Sequence, residues 1–113
     1  MPIRIEDIEP DLTIVTLSGR IDLAGAQEID MPMSVVGGSR RAVIVEMSGV
    51  EFMASLGLRT LVMAAKTIQR RNGRIVLLAP TPDVEEVVRT TGVDELIPIC
   101  RDEAEARAAV RPG

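Results

Sequence analysis

Few side chains in this sequence could do covalent chemistry. Histidine is absent, which removes Ser–His and Cys–His nucleophiles and the common zinc sites. The single cysteine, Cys100, ends the apolar run Ile97-Pro98-Ile99 and reads as an inert, half-buried thiol. It cannot form an intrachain disulfide, so a reducing, cytoplasmic setting is expected. Asp22 and Glu46 are the one carboxylate pair to weigh as acid and base, and each has a plainer reading, as a helix cap and as a solvated strand end. No Gly-x-Gly-x-x-Gly or Walker loop cradles a phosphate. The strand ends Gly19, Glu46 and Pro80 do not supply the aspartate cluster of a receiver domain. A non-enzymatic protein without cofactor or metal is expected.

What remains is one hydroxyl. Ser55 follows the β-branched run Ala42–Met47 and a loop from Ser48 to Ala54, and it precedes Leu58, Leu61, Val62, Ala65 and Ile68 at helical spacing. Two readings stay open. As an N-cap, its oxygen accepts an orphan backbone N–H of the helix. As a phosphoacceptor, it would set a phosphate against the positive helix end while adding charge beside Glu46, Glu51 and Asp22. A partner docked there would be repelled, so the site would be a binding switch. Leu56 and Met63, seven residues apart, share the helix face of Arg59 and Thr60, away from the Leu58/Leu61/Ile68 stripe. That face is either a partner surface or is packed under the preceding loop.

The elements that must hold this corner can be read in order. Ile3–Glu6 and Leu12–Leu17 are β-rich runs around Glu9-Pro10-Asp11 and predict an antiparallel hairpin. Asp22 caps a helix carrying Leu23, Ala26, Ile29 and Met33, which Pro32 is expected to kink or end, with Gly37-Gly38-Ser39 as a loop. The strand Arg41–Met47 leads to a helix from Ser55 to Asn72 with Gly73 at C′. A covered strand follows at Arg74–Ala79, then a helix opened by Thr81-Pro82 with Val84, Val87, Val88 and Thr91 inward and Gly92 closing it. Leu96–Ile99 reads as an edge strand because of Pro98, and Asp102–Glu105 as a capping box for a last helix. Pro112-Gly113 should fray. The alternation predicts a single α/β domain over 1–113. Its mixed, mostly parallel sheet has about five strands with an N-terminal hairpin, and about four helices pack on it.

Composition sets the partner class. The 113 residues include one aromatic, Phe52, so nucleobase stacking platforms are excluded. A net charge of −4 opposes phosphate-backbone binding. The cluster Arg70, Arg71 and Arg74 reads as helix C-terminal charge. No signal pattern or membrane-length apolar run is present, and a soluble intracellular protein is expected.

The chain resembles a stand-alone STAS domain, the module shared by sulfate transporters and anti-sigma factor antagonists. Leu17-Ser18-Gly19-Arg20-Ile21-Asp22 is similar to the family's Gly-x-Leu-Asp, and the stretch from Glu46 through Ala54-Ser55-Leu56-Gly57-Leu58 to its central serine motif. Gly73-Arg74, Pro82-x-Val84 and Thr91-Gly92-Val93 also fit. The resemblance implies a STAS-like fold and, in the antagonist branch, phosphorylation of Ser55 by a serine-kinase anti-sigma factor with a histidine-kinase-like ATPase fold. The unphosphorylated form would bind that kinase, the phosphorylated form would release it, and a serine phosphatase would reset it. The implied contact surface holds Asp22, Ala54, Ser55, Leu56, Gly57, Arg59, Thr60 and Met63. Two positions depart from the family pattern: Ala54 stands where an aspartate precedes the serine, and Glu46 replaces the strand-end aspartate. A rival expectation is a constitutive STAS subunit of a larger assembly, such as a lipid or anion transporter complex. Nucleotide sensing at the same corner ranks below both.

Overall fold

Strand β1 (Ile3–Glu9) turns at Pro10-Asp11 and pairs antiparallel with β2 (Leu12–Ile21), so the N-terminal hairpin forms where its turn chemistry places it. The computed structural model describes residues 2–111, which leaves Pro112-Gly113 outside the described residues. The chain continues through α1 (Leu23–Ser39), β3 (Ala42–Met53), α2 (Ser55–Arg70) and β4 (Arg74–Leu78). It ends with α3 (Pro82–Thr90), α4 (Val93–Leu96), β5 (Ile99–Cys100) and α5 (Glu103–Val110). The sheet order is β1-β2-β3-β4-β5, with every pair after the hairpin parallel.

The period-2 alternation of the strands feeds two cores. Val15, Leu17, Val43, Val45 and Met47 face one side and meet Ile29, Met33, Leu61 and Ile68 of α1 and α2, with Val84 and Val88 of α3. Leu12, Ala42, Ile44, Val76 and Leu78 face the other side, where Ala106 and Val110 of α5 cover them. This α/β architecture agrees with the expected mixed sheet, and five helices replace the expected four or so. The extra one is α4. Gly92 takes φ +79° and redirects the chain, after which Val93 and Ile97, one helical turn apart, are both buried. Leu96 therefore lies in α4, and Pro98 leaves β5 only two residues.

Three further expectations are corrected. Helix α1 runs through Pro32 and includes Gly37, Gly38 and Ser39. An interior proline costs about 3 kcal/mol, and burying Ile29, Met33 and Val36 at about 1.5–3 kcal/mol each outweighs it. Gly37 is where α1 meets α2: a Cβ there would lie 3.3 Å from the Ala64 Cα. Strand β3 continues six residues past Met47, because Gly49, Val50, Phe52 and Met53 pair with Ser18, Gly19, Arg20 and Ile21 across two bulges that break the alternation in sequence. At the end of α2 the left-handed residue is Asn72 (φ 65°), with Gly73 one step beyond, donating to the Ile68 carbonyl at 2.8 Å. Gly73 is glycine for space, since a Cβ would sit 2.5 Å from the Arg41 carbonyl oxygen.

Smaller differences concern single side chains. Leu23, Val87 and Thr91 are exposed rather than inward, and Cys100 is buried rather than half-buried. Arg71 of the basic cluster donates to the Gly37 and Arg40 carbonyls, tying α2's end to that of α1.

Candidate functional site

The parallel strands β2 and β3 end level with one another at Ile21 and Met53, and the pairing extends one bond further, from the Ala54 amide to the Ile21 carbonyl at 2.8 Å. Adjacent strands lie about 4.8 Å apart, so α1 and α2 start side by side. Asp22 and Ser55 are the first polar side chains after the two strand ends. The Asp22 carboxylate accepts from the Gly25 amide at 2.9 Å and caps α1 as expected.

Helix α2 starts differently. Ala54 is its N-cap residue, with extended backbone (φ −76°, ψ 158°) and no side-chain hydrogen bond, while Ser55 is already inside the first turn. The expected Ser55 cap is thus corrected: the strand bond from Ala54 fixes the last extended residue one position earlier. The Ser55 side chain is exposed beside a helix end that no side chain caps.

Gly57 and Thr60, both expected at the contact surface, are buried. A Cβ on Gly57 would come within 2.6 Å of the Met53 sulfur and 2.8 Å of Ile21 Cγ2, so glycine lets α2 descend onto the ends of β2 and β3. Thr60 is buried and donates to the Leu56 carbonyl at 3.2 Å. Leu56 is 39 % exposed and Met63 57 % exposed, and Arg59 is exposed between them. Leu56 and Met63 therefore do not pack under the preceding loop.

Helix α1 adds residues that the sequence reading missed. Met31 and Val35 are 72 % and 56 % exposed at i, i+4 spacing, off the buried Ile29/Met33/Val36 stripe. The spacing is visible in the sequence, but Pro32 between the two residues argues against a continuous helix there. Between the two helices runs a cleft of about 360 Å3 lined by Asp30, Ser34, Thr60, Met63 and Thr67. A second of about 230 Å3, lined by Gln27, Asp30, Leu56 and Thr60, lies nearer Ser55. On the other flank Arg20 stacks over Phe52, with its guanidinium carbon 4.7 Å from the ring centroid.

Glu46 does not belong to this corner. It is half-buried inside β3, accepts from the Ser48 amide at 2.7 Å, and lies seven residues before Met53, about 20 Å along an extended strand. The acid that the strand pairing sets at this corner is Asp22, and Asp30 lines the cleft that Leu56 also lines. The groups with shifted acidity are elsewhere: Asp7 is held low by Arg40, Glu85 is lowered to about 2 by Arg101 and Arg89, and burial raises the Cys100 thiol. Among the described residues no cluster of His, Cys, Asp or Glu is arranged to hold a metal ion.

The STAS domain family model matches residues 4–106, nearly the whole chain. The chain is a STAS domain. Its sequence is 26 % identical over 101 residues to BtrV of Bordetella bronchiseptica, named an anti-sigma factor antagonist, covering 88 % of this chain and 87 % of BtrV. An anti-sigma factor antagonist from Mycobacterium paratuberculosis superposes with a TM-score of 0.84 at 28 % identity, over 97 % of this STAS domain and 93 % of the other. The Bacillus cell fate determinant SpoIIAA in its phosphorylated form shares the fold, with a TM-score of 0.74 at 22 % identity over 96 % and 99 % of the chains.

Proposed function

We propose that this STAS domain is an anti-sigma factor antagonist whose grip on its partner is controlled by phosphorylation of Ser55. The observation that carries the reading is the exposed Ser55 hydroxyl in the first turn of α2, beside the exposed apolar side chains of Leu56 and Met63. The names of similar proteins, BtrV and the Mycobacterium antagonist, support the same partner class. The partner is a cytoplasmic serine-kinase anti-sigma factor with a histidine-kinase-like ATPase fold, and a serine phosphatase restores the binding form. No helix among the described residues is long and apolar enough to cross a membrane.

In this mechanism Leu56, Met63, Met31 and Val35 give the partner apolar area, while Gly57 and Thr60 act from below by fixing how α2 sits. Asp22, Arg59 and the backbone at Ala54 frame the hydroxyl. The kinase transfers the γ-phosphoryl group of its bound ATP to the Ser55 oxygen, ADP leaves, and the hydroxyl proton passes to a base of the kinase. The product carries nearly two negative charges at pH 7 where the partner surface must desolvate, and the complex dissociates.

The reading is tested by immobilising the unphosphorylated protein and the same protein with phosphoserine at 55, then identifying what each retains from host lysate. A kinase-type anti-sigma factor held only by the first form is the expected result. A constitutive scaffold role, favoured by the missing acidic neighbour at Ala54, predicts instead that both forms hold the same transporter or assembly subunits. That outcome overturns the switch.

A further inference from the structure

Arg59 is placed to act as an internal counter-charge. It lies one helical turn after Ser55, and residues at i and i+4 have Cβ atoms about 5–6 Å apart on one face. Helical side chains lean toward the N-terminus, so a long side chain at 59 covers the turn that contains Ser55 rather than the turn beyond it. Arg59 is exposed, and among the described residues it makes no ion pair, whereas Arg4, Arg40, Arg89, Arg101 and Arg107 each already hold a carboxylate. The other nearby cation, Arg20, is occupied with the face of Phe52. Asp22, which the strand pairing sets at this corner, is negative and would repel a phosphate.

We propose that Arg59 pairs with phosphoserine 55 and thereby changes sides between the two states of the switch. In the unphosphorylated protein its guanidinium is free to meet an acidic group of the partner. After phosphorylation its fork of N–H donors folds back onto the phosphate oxygens, a charge-assisted geometry that suits arginine better than lysine. Release then has two components: a negative charge is added and a positive one is withdrawn. The pair also serves the helix, because the phosphate takes the capping position that Ala54 leaves without a side-chain oxygen. This inference rests on Ser55 being the phosphorylated residue, and it concerns what the phosphate touches.

The test uses full-length protein with phosphoserine installed at 55 during translation, so no kinase need be known. Phosphorus NMR follows the second ionisation of the phosphate, near pH 6 in an unpaired phosphoserine. The expected result is a midpoint lower in the otherwise wild-type protein than in Arg59→Gln by about 0.3 unit or more. Arg20→Gln should leave the midpoint in place. Identical midpoints with and without Arg59 would overturn the pairing. A partner that fails to discriminate phosphorylated from unphosphorylated protein would sink the switch and leave the NMR result standing, so the two failures are distinguishable.

Discussion

The Ala54 amide is hydrogen-bonded to the Ile21 carbonyl at 2.8 Å, and that bond fixes both the register and the exposure of the candidate switch. It extends the β2–β3 pairing one residue beyond Met53, making Ala54 the last extended residue and Ser55 the first helical one. A serine one position earlier would turn its hydroxyl onto the helix's own amides. At 55 the hydroxyl faces outward instead. The same bond sets Asp22 beside Ser55, since each follows directly on one of the bonded residues.

Ala54→Asp should stabilise the protein. The backbone at 54 already has the extended conformation of an N-cap, and only the acceptor is missing. Supplying it should add about 1 kcal/mol and raise the melting temperature by several degrees, since caps contribute about 0.5–2 kcal/mol. Urea denaturation of both forms checks this, and an unchanged midpoint would show that the helix start is satisfied otherwise.

Gly57→Ala should destabilise by about 1–3 kcal/mol, the usual cost of overpacking a tight contact. The added methyl meets the Met53 sulfur and Ile21 Cγ2. Because the contact is with the strand ends that position Ser55, loss of partner binding should accompany the lower melting temperature. Gly38→Ala is the control: nothing lies within 4 Å of a Cβ there, and its melting temperature should not fall.

Acid should weaken the protein partly through Glu85. Its carboxylate accepts from the Arg101 guanidinium and from Arg89 at 2.8 Å, which lowers its ionisation to about 2 from an ordinary 4.5. Above pH 4.5 folded and unfolded chains both carry the charge, and the pairing contributes in full. Between pH 4.5 and 2 the unfolded chain takes up the proton first, so the contribution shrinks and is gone below about 2. Glu85→Gln should therefore lose stability at neutral pH and show a flatter decline over that window, measured by urea midpoints at stepped pH. High salt should shrink the difference, because the pair is near the surface.

Much of this architecture was readable because its signals are local. Asp22 and Asp102 cap helices through side-chain oxygens that accept from the amide three residues on, and the hairpin turn sits at Pro10-Asp11. The features that sequence missed are tertiary. The two bulges that carry β3 on to Met53 exist only in its pairing with β2. Pro32 is tolerated because α1's inner stripe is fully buried against the sheet and α2. At the site, the serine and its neighbours were legible from spacing, but the one-residue shift of the cap to Ala54 depends on a bond to another strand. The burial of Gly57 and Thr60 was not legible, because which face of α2 turns outward near its start depends on how closely the helix approaches Ile21.

Asp22 has two roles that a pair of substitutions separates. Its carboxylate caps α1 at the Gly25 amide, and its charge is presented to solvent beside Ser55. Asparagine caps a helix about as well as aspartate, whereas alanine does not. Asp22→Ala should lose about 1 kcal/mol of stability, while Asp22→Asn should melt within a degree or two of wild type. If the charge itself contacts the anti-sigma partner, both variants should bind it more weakly, despite the difference in stability. If only the cap matters, Asp22→Asn should bind as wild type does, because the oxygen that orients the first turn of α1 is retained. Calorimetric titration with the purified partner separates the two cases. A wild-type affinity in Asp22→Asn would remove Asp22 from the contact surface and leave Ser55, Leu56, Arg59 and Met63 on α2 to carry it.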